Sequence, residues 1–353
     1  MPKQKDEKKQ NKQDSTAPVK DSAKEEKMKG AVAAVKNSVK REKPVKQKTK
    51  EEKIVKPAPP KPWPKGPLTT QQKIYLYGGL FFRAMGPFLL YALMPSLCLA
   101  LGFFLGGYNK EEGMTFEQFF SYGSNFYTTV GTFLTLWILA KRAKRRGSTI
   151  WEESTLFVKE MKPLKAIGFL IFGYASATAV SALVTLLPDF SLTESYTKAT
   201  ESLYLDWDLF FKLATLLVLA PVVEEIIFRG HMLNTFLEHI PEEKSVFLSS
   251  LIFAVLHMNP IWILYAFALG MILAKTSMKE DNIAYGVMLH IGFNATSVVN
   301  YFIKKMGLYD TYYGSKWLIL VYGILGTLIS LFLAAVYTNR LDLKMLWRRI
   351  SGR

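Results

Sequence analysis

One cysteine, Cys98, stands among the 353 residues. A lone thiol forms no disulfide within its own chain and builds no thiolate metal cluster. Its place in an apolar run fits a small buried hydrophobe better than a nucleophile. The His-Glu-x-x-His helix of many zinc peptidases does not occur. No apolar core follows the first basic residues, so the start of the chain shows no secretory-signal pattern. Internal self-similarity is also lacking, which weighs against a transporter built from inverted repeats.

Leu, Ile and Phe are scarce in residues 1–66, which hold 20 Lys or Arg against 9 Asp or Glu and so carry +11 of the formal +16 charge. Such a segment cannot bury enough apolar surface to offset the entropy of ordering. Residues 1–68 are therefore expected to form a disordered Lys-rich cytoplasmic tail. It ends in a stiff Pro-rich spacer over 56–64 that would hold the tail off a bilayer. Beside a membrane domain, its Lys runs point to anionic lipid headgroups rather than to nucleic acid.

Residues 69–353 read differently. Runs near the roughly 20 apolar residues needed to cross a hydrocarbon core recur along them. They fall at 84–107, 121–140, 164–187, 208–228, 246–258, 260–277, 282–303 and 316–338. The expected fold is an all-α integral membrane protein with about eight transmembrane helices. Arg83 would sit at the edge of the first, where a long side chain can snorkel.

Lys141-Arg142-Ala143-Lys144-Arg145-Arg146 follows the second span, and Arg340, Lys344, Arg348, Arg349 and Arg353 follow the last. Positive loops stay in the cytoplasm, so both termini are expected there, in a multi-pass cell-membrane protein. The intervening outer loops are acidic, with Glu111, Glu112 and Glu117 in one and Asp189, Glu194, Glu201, Asp206 and Asp208 in the next; Lys304, Lys305 and Lys316 run mildly against the pattern. Residues 150–162 mix apolar and charged side chains at roughly helical spacing, as for a helix lying flat in the interface or a solvated connector. The fifth span is short and turns at Met258-Asn259-Pro260 into the sixth. Such a turn inside the membrane needs protein or a water-filled cavity around it.

Ionisable groups inside a span are costly and point to function. Glu224 and Glu225 are adjacent near the end of span four. Glu225 and Arg229, at i and i+4, can pair along one helix face, while Glu224 points about 100° away and is left free for proton transfer. Pro221, one turn earlier, loosens this helix. Phe253 and His257 repeat the i, i+4 spacing on span five, and His290 and Asn294 repeat it on span seven among small residues that permit close helix approach. At 1.5 Å per residue, Glu224, His290 and His257 lie about 6, 12 and 17 Å from the cytoplasmic ends of their spans, depths compatible with one shared site. His231 and His239, just past span four, read as interfacial rather than catalytic.

Glu224-Glu225-Ile226-Ile227-Phe228-Arg229-Gly230, Phe253-Ala254-Val255-Leu256-His257 and His290-Ile291-Gly292-Phe293-Asn294, in that order, resemble the CPBP family of CAAX-type and bacteriocin-processing intramembrane endopeptidases, also called the Abi family. The resemblance covers roughly residues 205–300, the expected catalytic core. It implies that Glu224, His257, His290 and Asn294 carry catalysis, with Glu225, Arg229 and Phe253 in support. Two mechanisms follow. Glu224 and His257 activate a water while His290 and Asn294 stabilise the oxyanion, or Glu224, His257 and His290 ligate a metal, with zinc the first choice. The substrate would be a membrane protein or peptide. A non-proteolytic scaffold or bacteriocin self-immunity protein of the same fold is the alternative, which the complete motifs disfavour.

Overall fold

The computed structural model describes residues 69–105, 116–188, 191, 193–195 and 209–338, and every regular element among them is helical. The basic tail, its Pro-rich spacer, the outer-loop acids Glu111, Glu112, Asp189, Glu201, Asp206 and Asp208, and the basic C-terminal residues from Arg340 onward lie outside the described residues, as does the side chain of Glu117.

Helix α1 runs Thr70–Leu105 and α2 runs Phe116–Arg145. A short α3, Ile150–Glu153, leads through a 3-10 turn, Val158–Glu160, into α4, Pro163–Thr185. Residues 209–237 form one continuous helix, α5, in which π-type stretches Thr215–Leu219 and Ile226–Leu233 flank the α-helical turns of Ala220–Glu225. Then follow α6 (Glu242–Val255), α7 (Pro260–Glu280), α8 (Ala284–Lys305), α9 (Tyr309–Tyr313) and α10 (Lys316–Tyr337).

Among the described residues, four helices are long and apolar enough to cross a membrane: Ile74–Leu105 of α1, and α4, α7 and α10. The protein is a multi-pass membrane protein. The other four expected spans are also helical but miss that standard, each for a physical reason. Helix α6 has 14 residues, which at 1.5 Å per residue reach about 21 Å of a core about 30 Å thick. Helices α5 and α8 carry the charged and polar groups of the site, and α2 intersperses Ser, Asn, Tyr and Thr among its apolar residues.

Two local expectations need correction. Arg83 lies inside α1 rather than at its edge, because Ile74–Phe82 extend the helix toward the N-terminus; its guanidinium meets Glu238 at 3.1 Å. Residues 150–162 do not form one helix. Thr149 starts α3 with a capping box to Glu152, and Thr155 at φ +55° ends it, so only one turn forms. Beyond that turn the segment is clipped to the start of α8. Asn282 bonds both the N–H and the carbonyl of Phe157, at 3.1 and 2.9 Å, the Ile283 N–H donates to the Thr155 carbonyl, and the Lys162 N–H donates to the Tyr285 hydroxyl.

Close backbone approach fixes α8 against α4. A Cβ at Gly173 would collide with the Leu289 carbonyl, and one at Gly292 with the Leu170 carbonyl. Each glycine thus lets the neighbouring backbone into the space a side chain would fill, on both sides of His290. Phe169, Leu273, Tyr285 and Leu289 complete this contact. A second buried cluster joins Val223, Ile226, Ile227 and Phe228 of α5 to Phe253 and Ala254 of α6. The hairpin between α6 and α7 closes as expected at Met258, which takes φ +56°; the Asn259 side chain then caps α7 by accepting from the N–H of Ile261 and of Trp262.

Candidate active site

Glu224 and Glu225 are neighbours in sequence but occupy different environments. Glu225 is fully buried, and its Oε1 accepts from Arg229 Nη1 at 2.7 Å. Arg229 Nη2 crosses to the Gly270 carbonyl on α7 at 3.1 Å, and its guanidinium lies 4.5 Å from the Phe253 ring centroid. The second oxygen of Glu225 has no hydrogen-bond partner among the described residues. It rests against Gly286, where a Cβ would come within 3.2 Å. Glu224 keeps 15% of its side chain exposed. It is not free, as its helical position alone suggests, because the Tyr91 hydroxyl on α1 donates to its Oε1 at 2.7 Å.

His290 sits between the two carboxylates. Its Nδ1 lies 3.2 Å from Glu225 Oε1 and its Nε2 lies 3.7 Å from Glu224 Oε2. An ionised carboxylate only accepts, so Nδ1 carries the hydrogen toward Glu225. His257 Nδ1 lies 3.2 Å from the Phe253 carbonyl of the preceding turn, which fixes the same tautomer and leaves Nε2 with a lone pair. His257 is in electrostatic reach of both Glu224 and His290. Phe253 separates the two imidazoles, meeting each edgewise at 5.1 and 5.8 Å between centroids. Fully buried, it touches both rings and the guanidinium, and so sets their spacing.

Asn294 owes its orientation to Pro221. In the π-type turn the Ala220 N–H reaches back to the Thr215 carbonyl. The next donor in that pattern would be residue 221, a proline without an N–H, so the Leu216 carbonyl loses its intrahelical partner. Asn294 Nδ2 fills the gap at 2.9 Å. Only the amide nitrogen can donate to a carbonyl, so the flip is fixed and one N–H remains for another acceptor.

Three helices, α5, α6 and α8, and the turn after α6 that carries His257 thus bring Glu224, Glu225, Arg229, Phe253, His257 and His290 together, and Asn294 anchors one turn along α8. His231 and His239 lie apart, around Arg83: His231 Nε2 is 3.1 Å from the Arg83 carbonyl, and His239 Nε2 is 3.1 Å from the Arg83 guanidinium. Tyr91 and the Gly270 and Leu216 carbonyls carry no signal in the linear sequence, whereas Gly286 is one of the small residues around His290 that permit close helix approach. Only the proline five residues after Leu216 hints at a freed carbonyl. Among the described residues, no three His, Cys, Asp or Glu side chains converge in a way that could hold a metal ion.

Residues 206–296 match the family model for type II CAAX prenyl endopeptidases, Rce1-like. This stretch carries all three motifs, so the match agrees with the resemblance that the motif order implies. No curated protein and no solved structure matches the chain. The matching domain and the apolar helices together support an intramembrane protease role.

Proposed function

We propose, from the Rce1-like match and the geometry around Phe253, that the protein is an intramembrane endopeptidase hydrolysing a peptide bond of a membrane-associated protein or peptide. The observation that carries this reading is the convergence of two imidazoles and a guanidinium on one buried aromatic ring, with two carboxylates flanking the His290 imidazole. Unrelated polar groups scattered through apolar helices have no reason to meet.

Glu224, the carboxylate with residual exposure, accepts a proton from a water that His257 Nε2 helps to orient, and the water oxygen attacks the scissile carbonyl carbon. The remaining Asn294 N–H and His290 Nε2 meet the developing oxyanion. For that role His290 Nε2 must carry a hydrogen in the transition state. Glu224 then passes its proton to the leaving amine. Glu225 and Arg229 hold α5 and His290 in register. The alternative is zinc held by Glu224, His257 and His290; activity that persists after dialysis against a strong chelator supports the metal-free route, and loss restored by zinc alone favours the metal.

The architecture we propose has eight spans with both termini in the cytoplasm. Its support is the helix at each expected position and the exposed Lys141–Arg146 cluster at one end of α2. The Lys-rich tail would meet anionic lipid, and an unprenylated peptide precursor or membrane regulator is a substrate as open to this site as a prenylated one. The reading is tested by comparing protein and peptide termini in cells carrying the wild-type chain or Glu224→Gln at matched expression. Termini lost only in the variant support it. Matching profiles move the non-proteolytic scaffold to the front.

A further inference from the structure

We propose that Tyr91 is a positioning residue for the carboxylate that activates water, a role resting on the reading of Glu224 given above. Tyr91 stands on α1, outside the matched residues 206–296. Its hydroxyl donates to Glu224 Oε1 at 2.7 Å across 133 residues of sequence. Phe88, one turn earlier on α1, packs edgewise on Phe228 of α5 at 5.9 Å and docks that turn beside Glu224.

The bond divides the labour of the carboxylate. The terminal torsion of a glutamate is broad, so an unheld carboxylate swings between orientations. With Oε1 held by Tyr91, Oε2 is the oxygen left for a water. It lies 3.7 Å from His290 Nε2, beyond hydrogen-bond reach, so the imidazole does not consume it. Glu225 is held by Arg229 and His290, whereas among the described residues the direct hydrogen bond that holds Glu224 is the one from α1. The pre-aimed lone pair on Oε2 then points at one water rather than sampling several directions. Helix α1 also becomes part of the machinery, because any movement of α1 against α5 would release the carboxylate.

The test uses the full chain in proteoliposomes with an internally quenched peptide library as probe, comparing wild type, Tyr91→Phe, Glu224→Gln and the double variant. Tyr91→Phe is expected to lower kcat about 10-fold or more, the scale of a hydrogen bond to a charged group. KM should stay within about two-fold, and the double variant should be no slower than Glu224→Gln alone. Wild-type kcat in Tyr91→Phe beside an inactive Glu224→Gln overturns the proposal and leaves the peptidase reading standing. A change confined to KM or to melting temperature assigns Tyr91 a structural role and also overturns it. Full activity in Glu224→Gln overturns both readings together. If no library member is cut, the melting temperatures of the same four proteins decide: non-additive shifts uphold the contact, and additive shifts overturn it.

Discussion

Glu225 and Arg229 form an ion pair at 2.7 Å whose two side chains are 0% and 1% exposed, one turn apart on α5. Neither charge has water to fall back on. The pair therefore holds α5 in a fixed rotation, and Arg229 extends that constraint to the Gly270 carbonyl on α7. We expect Arg229→Ala to leave an uncompensated buried carboxylate and to cost about 3–5 kcal/mol of stability. The readout is folded yield and melting temperature in detergent; an unchanged melting temperature contradicts the pairing.

Pro221 and Asn294 should behave as a coupled pair. Pro221→Ala restores an N–H that can satisfy the Leu216 carbonyl, which removes the anchor of the Asn294 amide. We expect about a 10-fold loss of kcat without loss of melting temperature, because one catalytic donor becomes misdirected while no buried group is orphaned. Steady-state kinetics on a cleaved peptide, read beside a melting curve, checks this. A fully active Pro221→Ala protein contradicts it.

Gly292→Leu inserts a side chain where the Leu170 carbonyl now lies, so α8 must move away from α4. Overpacking at a close helix contact costs about 1–3 kcal/mol, and His290, two residues away, moves with the helix. We expect lower thermal stability and lost activity together. Gly79→Ala, where an added Cβ meets nothing within 4 Å, should lose no activity.

At the end of α2, Arg146 makes a two-pronged contact with Glu153, at 2.9 and 2.5 Å. The Arg146 guanidinium, its largest influence, holds the Glu153 carboxyl below the usual carboxylate range. A depressed folded value means that the stabilisation is present above the unfolded value and is lost as pH falls through the folded one. Both side chains are substantially exposed, at 55% and 30%, so the contribution is at most about 1 kcal/mol. Glu153→Gln should therefore lower the melting temperature slightly at pH 7, and by less at an acid pH where the carboxyl is protonated. Equal shifts at the two pH values contradict the ion pair.

Much of this site was legible in the linear chain because its residues violate the local rule. Charges and imidazoles in apolar helices stand out, and spacings of four residues place Glu225 on Arg229 and His257 beside Phe253 without coordinates. What stayed hidden obeys its surroundings. Tyr91 is an ordinary aromatic in an apolar helix, and the carbonyls of Gly270 and Leu216 belong to backbone that every residue possesses. The extension of α1 past Arg83 is not legible because one charge in an apolar run looks like the end of a span, whereas Glu238 on another element accommodates it. The break in residues 150–162 is not legible because periodicity does not register the positive φ of Thr155.

The central claim is that Glu224 directs the hydrolysis of a peptide bond, and the measurement closest to it uses the purified chain in proteoliposomes mixed with a solubilised membrane extract in ¹⁸O-labelled water. Mass spectrometry of the released termini should show new C-termini carrying the heavy oxygen with the wild-type chain and none with Glu224→Gln. The same labelled termini appearing at equal rates with both proteins, or with neither, would contradict the account.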